Sequence, residues 1–302
     1  MLNIRREILV CIVILFLSVN AISQNQRSSV TESDLKIKKS RKKKKVKLPN
    51  IDLSNWKVTI PEGKGKGGAI SVEPPAILDY AKNETLKPYM YNDSTKGAIT
   101  FYAYPTSATT ANTKYSRSEL REQLVPGDDN FNWTFKQGGT LKAKLSVDDV
   151  SRDKSGKYHK VIILQIHGRL TNEQRDLIDQ KDNNAPPVLK IYWQNGKIRV
   201  KTKKLKNTEV NSIGILHEEA WTDDEGFNFE QEVGFRKFQI EIKVTDGKLV
   251  VSLNKTEFAI YDDFNIKRWG IFENYFKAGN YFQSRDEGSF AKVSFYELEV
   301  EH

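Results

Sequence analysis

Three short segments carry polar side chains at every second position: residues 117–121 (RSELR), 165–167 (QIH) and 275–283 (YFKAGNYFQ). In a strand, alternate residues share a face. Arg117, Glu119, Arg121 and Gln123 therefore line one side of the first segment, while Leu120 and Leu124 turn inward with Ser118 and Glu122. In the second, Gln165 and His167 share a face at the end of the apolar run 161–164, with Ile166 opposite. In the third, Tyr275, Lys277, Gly279, Tyr281 and Gln283 form one row, and Phe276 and Phe282 fall on the core side. Gly279 leaves room in its row for something to approach the backbone.

Each row has a plain reading beside a chemical one. Two guanidiniums flanking a carboxylate make an ordinary surface ion-pair ladder, which contributes little. They also describe a device in which Glu119 orients arginine forks that grip carboxylates in bidentate fashion. A strand histidine is commonly a packed, hydrogen-bonded residue, and the third row alone fits an edge strand with surface aromatics. If the three rows line one concave sheet, however, its groove holds Arg, Gln, Lys, His and Tyr. That set suits a substrate carrying repeated carboxylates.

The elements that must position these rows are strands. FQIEIKV (238–244) and KLVVSLN (248–254) flank Asp246-Gly247, and VLKIYW (188–193) and KIRVKT (197–202) flank Asn195-Gly196, both turn dipeptides of tight hairpins. LKAKLSV, KVIILQIH and VSFYELEV add alternating runs rich in β-branched and aromatic residues. Helical signals are confined to 172–181 and to PPAILDYA (74–81), and the acidic stretch 223–232 reads as a turn-rich loop. Many strands joined by Gly/Asn/Asp turns predict an all-β sandwich or jelly roll of two antiparallel sheets.

The three segments resemble the signature motifs of polysaccharide lyase family 7, the alginate lyases: R-(S/T)-E-L-(R/K), Q-(I/V)-H and Y-F-K-A-G-x-Y-x-Q. All three match without departure and in order, within a region from about residue 50 to residue 302. The third motif is long and specific; the second is short. The resemblance implies a β-jelly-roll with the motifs on its concave sheet, a groove for alginate, and no required metal or other cofactor. It assigns substrate-carboxylate contact to Arg121 and Gln165, and the acid/base pair to His167 and Tyr281. Arg117, Glu119 and Lys277 would shape and charge the subsites; Gln123, Gln283 and Tyr275, which share the rows, are expected to bind substrate too.

The implied β-elimination needs such a set. The proton on C5 of a uronate is too weakly acidic to remove until the neighbouring carboxylate is neutralised, which is electrostatic stabilisation of an enolate-like intermediate. A base must then take that proton, and an acid must protonate the oxygen leaving C4. A neutral imidazole, with a reference pKa near ~6.5, suits the first task. A phenol, near about 10, can donate directly. In guluronate H5 and the leaving oxygen lie on opposite faces, which suits His167 as base and Tyr281 as acid; in mannuronate they are syn, and Tyr281 could serve both roles. Isoleucine at the centre of the second motif resembles family members that accept guluronate-containing links.

The net charge of +9 is carried by one segment. Residues 36–47 hold nine Lys/Arg and no acid, while 1–23 and 24–35 carry +1 and −1, so residues 48–302 are neutral. Binding to a polyanion must then come from a local cluster, and nucleic-acid binding would rest on 36–47 alone. Arg5 and Arg6, the apolar run 8–17 and small residues Ala21 and Ser23 predict a signal peptide over 1–23, the run itself being shorter than a spanning helix needs. Residues 24–49, polar and lysine-rich, read as a disordered linker, and 50–302 as the catalytic domain. The expected product is a secreted, extracellular or periplasmic monomer with no stable membrane insertion.

Other classes find less support. Cys11, the single cysteine, lies within the apolar run, so the mature chain would have neither disulfide nor thiol nucleophile. His159, His167, His217 and His302 show no paired metal-ligand spacing. GKGKGG (63–68) lacks the P-loop pattern, and no E-x-D-x-x-E strand offers a glycosidase acid pair. A non-catalytic sugar-binding jelly roll would explain a basic aromatic groove but has no need of a His/Tyr pair.

Overall fold

The computed structural model describes residues 49–302. The expected signal segment, Cys11 and all of the expected linker but Pro49 lie outside the described residues. Two sheets face one another across a shared apolar core. In the first, β16 (Glu257–Tyr261), β15 (Lys248–Leu253), β14 (Phe238–Thr245), β8 (Gly139–Val150), β18 (Ala291–Glu301), β5 (Ala98–Ala103) and β4 (Met90–Asp93) follow in antiparallel order. The two-residue β1 (Asn50–Ile51) joins β18 in parallel.

The second sheet runs β12 (Trp221–Asp223), β11 (Lys197–Leu205), β10 (Asn184–Gln194), β9 (Val161–Arg169), β17 (Glu273–Phe282), β6 (Arg117–Glu122), β2 (Trp56–Gly63) and β3 (Ala69–Val72). β13 (Phe227–Glu232) also pairs with β11, and β7 (Trp133–Thr134) with β17. This is the all-β jelly-roll sandwich that the strand patterns predict.

Alternation explains how the strands bury one face. Phe238, Ile240, Ile242 and Val244 of β14 are buried, with Gln239, Glu241, Lys243 and Thr245 turned outward. The β10–β11 hairpin turns on Asn195 and Gly196, at φ of 50° and 82°, the left-handed pair that a two-residue hairpin favours. Phe276 and Phe282 of β17, Ile166 of β9 and Leu120 of β6 are wholly inside, each contributing roughly 1.5–3 kcal/mol of apolar burial. Asn280 ties β17 to the opposite sheet, its Nδ2 donating to Phe101 O at 3.1 Å and Ala291 O at 2.7 Å.

Local expectations are adjusted in three places. The helix expected over 172–181 is α1 (Asn172–Leu177), closed by a Thr171/Gln174 capping box and ended before Asp179, whose φ is 51°. Residues 74–81 make only a 3-10 turn over Ala76–Asp79. The acidic stretch 223–232 is not simply a loop. It supplies the last residue of β12 and all of β13, where Phe229 alone turns inward and the charges stay exposed, as an edge strand allows. A helix without a sequence signal, α2 (Phe264–Trp269), is capped by Asp263 and buries Ile266 and Trp269.

Candidate active site

β6, β17 and β9 are immediate neighbours with β17 at the centre, so the three polar rows meet on one face. Lys277 is in register with Arg121 on one side and Gln165 on the other. Tyr275 is opposite His167, and Tyr281 opposite Arg117. The rung through Lys277 continues outward: Arg121 pairs with Lys57 of β2, and Gln165 with Lys190 of β10. Five polar side chains, four of them cationic, thus cross the sheet on one line. They floor a groove of about 690 Å³, within the usual range for ligand sites.

Glu119 organises the centre from beneath. It is completely buried, and Oε2 lies 2.8 Å from Arg117 Nη1 and 2.7 Å from Lys277 Nζ, while Oε1 accepts from Gln165 Nε2 at 2.6 Å. Burial pushes its carboxyl up, but Lys277 and Arg117 outweigh this and hold it below the ordinary range. Burial and the nearby Arg117 in turn bring Lys277 down to about 8. Arg117 keeps buried Nε and Nη2 without a hydrogen-bond partner among the described residues, and lies over the Tyr281 ring at 3.8 Å.

Arg121 belongs to a second node. Its guanidinium donates to Glu122 O at 2.7 Å, and to Asp129 O and Asn132 Oδ1 at 3.1 Å each, and lies 3.0 Å from Asp129 Oδ1. Asp129 also pairs with Lys57. Glu119 therefore orients only one of the two arginines it separates in sequence. Tyr275 stacks on His167 at 5.2 Å and 13°, with Arg121 at 4.1 Å from its ring.

The two titratable candidates are driven apart. Burial first, then the charge of Lys277, lowers His167 to about 3, so its imidazole is neutral near pH 7. His167 Nδ1–H donates to Gly168 O at 3.0 Å, which leaves Nε2 as the lone-pair nitrogen. Burial raises the Tyr281 phenol, against the lowering influence of Arg117. One group is poised to accept a proton and the other to give one.

The family model for alginate lyase (Alginate_lyase2) matches residues 51–302. The chain belongs to the alginate lyases of polysaccharide lyase family 7. The curated alginate lyase of Klebsiella pneumoniae is 26% identical over 307 residues, 83% of this chain and 90% of its own length. Two crystal structures of the family 7 alginate lyase A1-II′ are similar throughout. One has a histidine changed to asparagine and a tyrosine to phenylalanine and holds the substrate GGMG; it is 31% identical, with a TM-score of 0.64 over 84% of this chain and 94% of its own. The other holds the product GGG and is 30% identical, with a TM-score of 0.65 over 84% and 97%.

The remaining residues of this alginate lyase separate by position. His167, Tyr275, Lys277, Tyr281, Gln283, Gln165, Arg117 and Arg121 all line the groove. Gln123 is outside the lining set: buried, it donates to Asp129 Oδ1 at 2.9 Å and accepts from Gly127 N at 3.0 Å, holding the 127–129 turn. The space at Gly279 is taken by β6, since a Cβ there would lie 2.7 Å from Ser118 O, so no ligand enters at that point. Ile166 points into the core and is wholly buried. Lys57, Asp129, Lys190 and Tyr192 also line the groove and carry no signal in the three motifs; the register of β2 and β10 brings Lys57, Lys190 and Tyr192 there, and the fold of 123–132 brings Asp129.

Proposed function

We propose that this alginate lyase is secreted and endo-acting, and cleaves guluronate-containing links with His167 as base and Tyr281 as acid. The observation that carries this reading is the position of the pair. His167 of β9 and Tyr281 of β17 stand on adjacent strands inside a groove whose lining runs from Ser71 of β3 to Tyr192 of β10, with β10 on one side of them and β6, β2 and β3 on the other. Six strands at ~4.8 Å spacing extend about 24 Å, room for sugars on both sides of the bond that breaks. A site with groove on both sides of it suits cleavage inside a chain.

The steps follow from the electrostatics. Arg121 and Gln165 hold the uronate carboxylate, and Arg117, whose buried Nε and Nη2 have no hydrogen-bond partner among the described residues, adds positive charge beside it. Their charge and hydrogen bonds stabilise the enolate-like intermediate. The same carboxylate offsets the cations that depress His167, so the imidazole becomes more basic when substrate arrives. His167 Nε2 takes H5 from one face and the Tyr281 hydroxyl protonates the C4 oxygen from the other, the anti geometry of guluronate. A relative captured with GGMG after loss of a histidine and a tyrosine is in keeping with such a pair.

Two loops at the groove also bear on this. Asn112 Nδ2 donates to Asp182 Oδ2 at 3.3 Å, joining 105–114 to 171–187. A single exposed hydrogen bond can open to admit a chain laterally. Residues 1–23 act as the export signal and 24–49 as a tether in this reading. Product analysis on poly-guluronate, poly-mannuronate and alternating blocks tests it: a ladder of unsaturated oligomers from guluronate-containing blocks is expected. Release of monomer or dimer alone from chain ends, or turnover of poly-mannuronate only, would overturn it.

A further inference from the structure

The polar rung does not end at the groove. Lys190 of β10 is in register with Lys201 of β11, and Arg199 and Lys203 share the face of Lys201. Each of these four cations is covered by one short segment, residues 223–228. Asp223 Oδ2 lies 2.5 Å from Lys190 Nζ, and Oδ1 2.9 Å from Lys203 Nζ. Lys201 Nζ donates to Asp224 O at 3.2 Å. Arg199 donates to Asn228 Oδ1 at 2.7 Å and to Glu225 O.

The segment is fitted to that surface. The Asp224 carboxylate accepts from Thr202 N at 3.0 Å and Thr202 Oγ1 at 3.1 Å. At Gly226 a Cβ would lie 3.0 Å from Arg199 Nε and Lys201 Cγ. Asp223 is opposite Lys203 in the β11–β12 register and so shares its face. Lys190 and Lys203 are only 14% and 13% exposed, and Asp223 28%. A carboxylate between two ammonium groups, one of which lines the groove, has the charge and place of a uronate carboxylate one step beyond the catalytic strands.

We propose that Lys190, Lys201 and Lys203 form a further subsite for a uronate carboxylate, and that Asp223 fills it with the fold's own carboxylate and so sets where the bound polymer ends. This rests on the groove reading above. A longer chain must displace Asp223 from Lys190 to advance, and the exchange gains little because one carboxylate replaces another.

The test compares wild type with Asp223→Asn on alginate oligomers of defined, increasing length and on the polymer. The ratio of wild-type to variant KM is expected to rise with length, reaching roughly two- to fivefold on the polymer, the scale of one partly exposed charge contact. Adding Lys190→Met must abolish the gain. If Asp223→Asn lacks a cooperative melting transition, Asp223→Asn/Lys203→Met keeps the local charge and is read in the same way. A ratio independent of length, or a gain that survives Lys190→Met, overturns the proposal. Arg117→Ala separates the two readings: it must impair turnover at every length, and if it does not, the groove reading itself fails.

Discussion

His167 and Tyr281 lie on opposite sides of neutral pH, and Lys277 lies between them in both space and titration. His167→Ala and Tyr281→Phe are each expected to lower turnover by ~10²–10⁴, the range for a lost acid/base group, with melting unchanged; near-normal turnover in either would remove it from the mechanism. The pH profile of kcat/KM reports the free enzyme. His167 must be neutral to act and is so above about 3, so its acid limb lies far below the usual histidine limb near ~6.5. Lys277 must be charged and is so below about 8, so the alkaline limb falls there. Lys277→Arg should carry that limb upward; a limb that stays in place would exclude Lys277 as its origin. The period of two made these rows legible in sequence. The partners of Arg121 were not, because Asp129 and Asn132 reach it through the fold of 123–132.

At the scale of the element, β17 is held from behind by Glu122. Its register with β6 runs from Lys277 to Tyr281, and that with β7 covers Glu273 and Asn274. In the gap between, Glu122 Oε2 accepts from Phe276 N at 2.9 Å and from Trp133 Nε1 at 3.0 Å. A side-chain carboxylate thus serves where neither strand pairs, between Tyr275 and Lys277. Its Oε1 lies 2.7 Å from His302 Nε2. His302 Nδ1–H donates to Gly138 O at 3.1 Å, so the bond to Glu122 calls for the imidazolium. Burial lowers His302, but Glu122 prevails and raises it. A raised folded-state pKa stabilises below the unfolded value and ceases to do so as pH climbs through the folded one. Glu122→Gln should cost ~1–3 kcal/mol, with a larger fall in Tm at pH 5.5 than at pH 9; an equal loss at both would refute the charged pair. Strands and hairpins were readable from alternation and Asn-Gly or Asp-Gly turns. This junction was not, since a glutamate on the core side of an alternating strand looks like an ordinary break in pattern.

At the scale of the molecule, charge is divided by region. Residues 48–302 are neutral, while 36–47 alone carry +9. Deleting 24–49 should leave turnover on short oligomers unchanged and weaken retention on polyanionic gel, as measured by a pull-down at low and high salt; lost turnover on short oligomers would show that the segment serves the catalytic unit. Among the described residues no helix is long and apolar enough to cross a membrane.

The carboxylates already seated on the groove's cations have a consequence for the end of the reaction cycle. Asp129 sits on Lys57 and Arg121, and Asp223 on Lys190 and Lys203. If substrate displaces these internal anions as proposed for Asp223, their return to the vacated lysines and arginine leaves no cation bare when a product departs. A floor of unpaired cations would grip each fragment it had just made. On that displacement the protein competes with its own product for the same contacts, so the competition acts at dissociation as well as at capture.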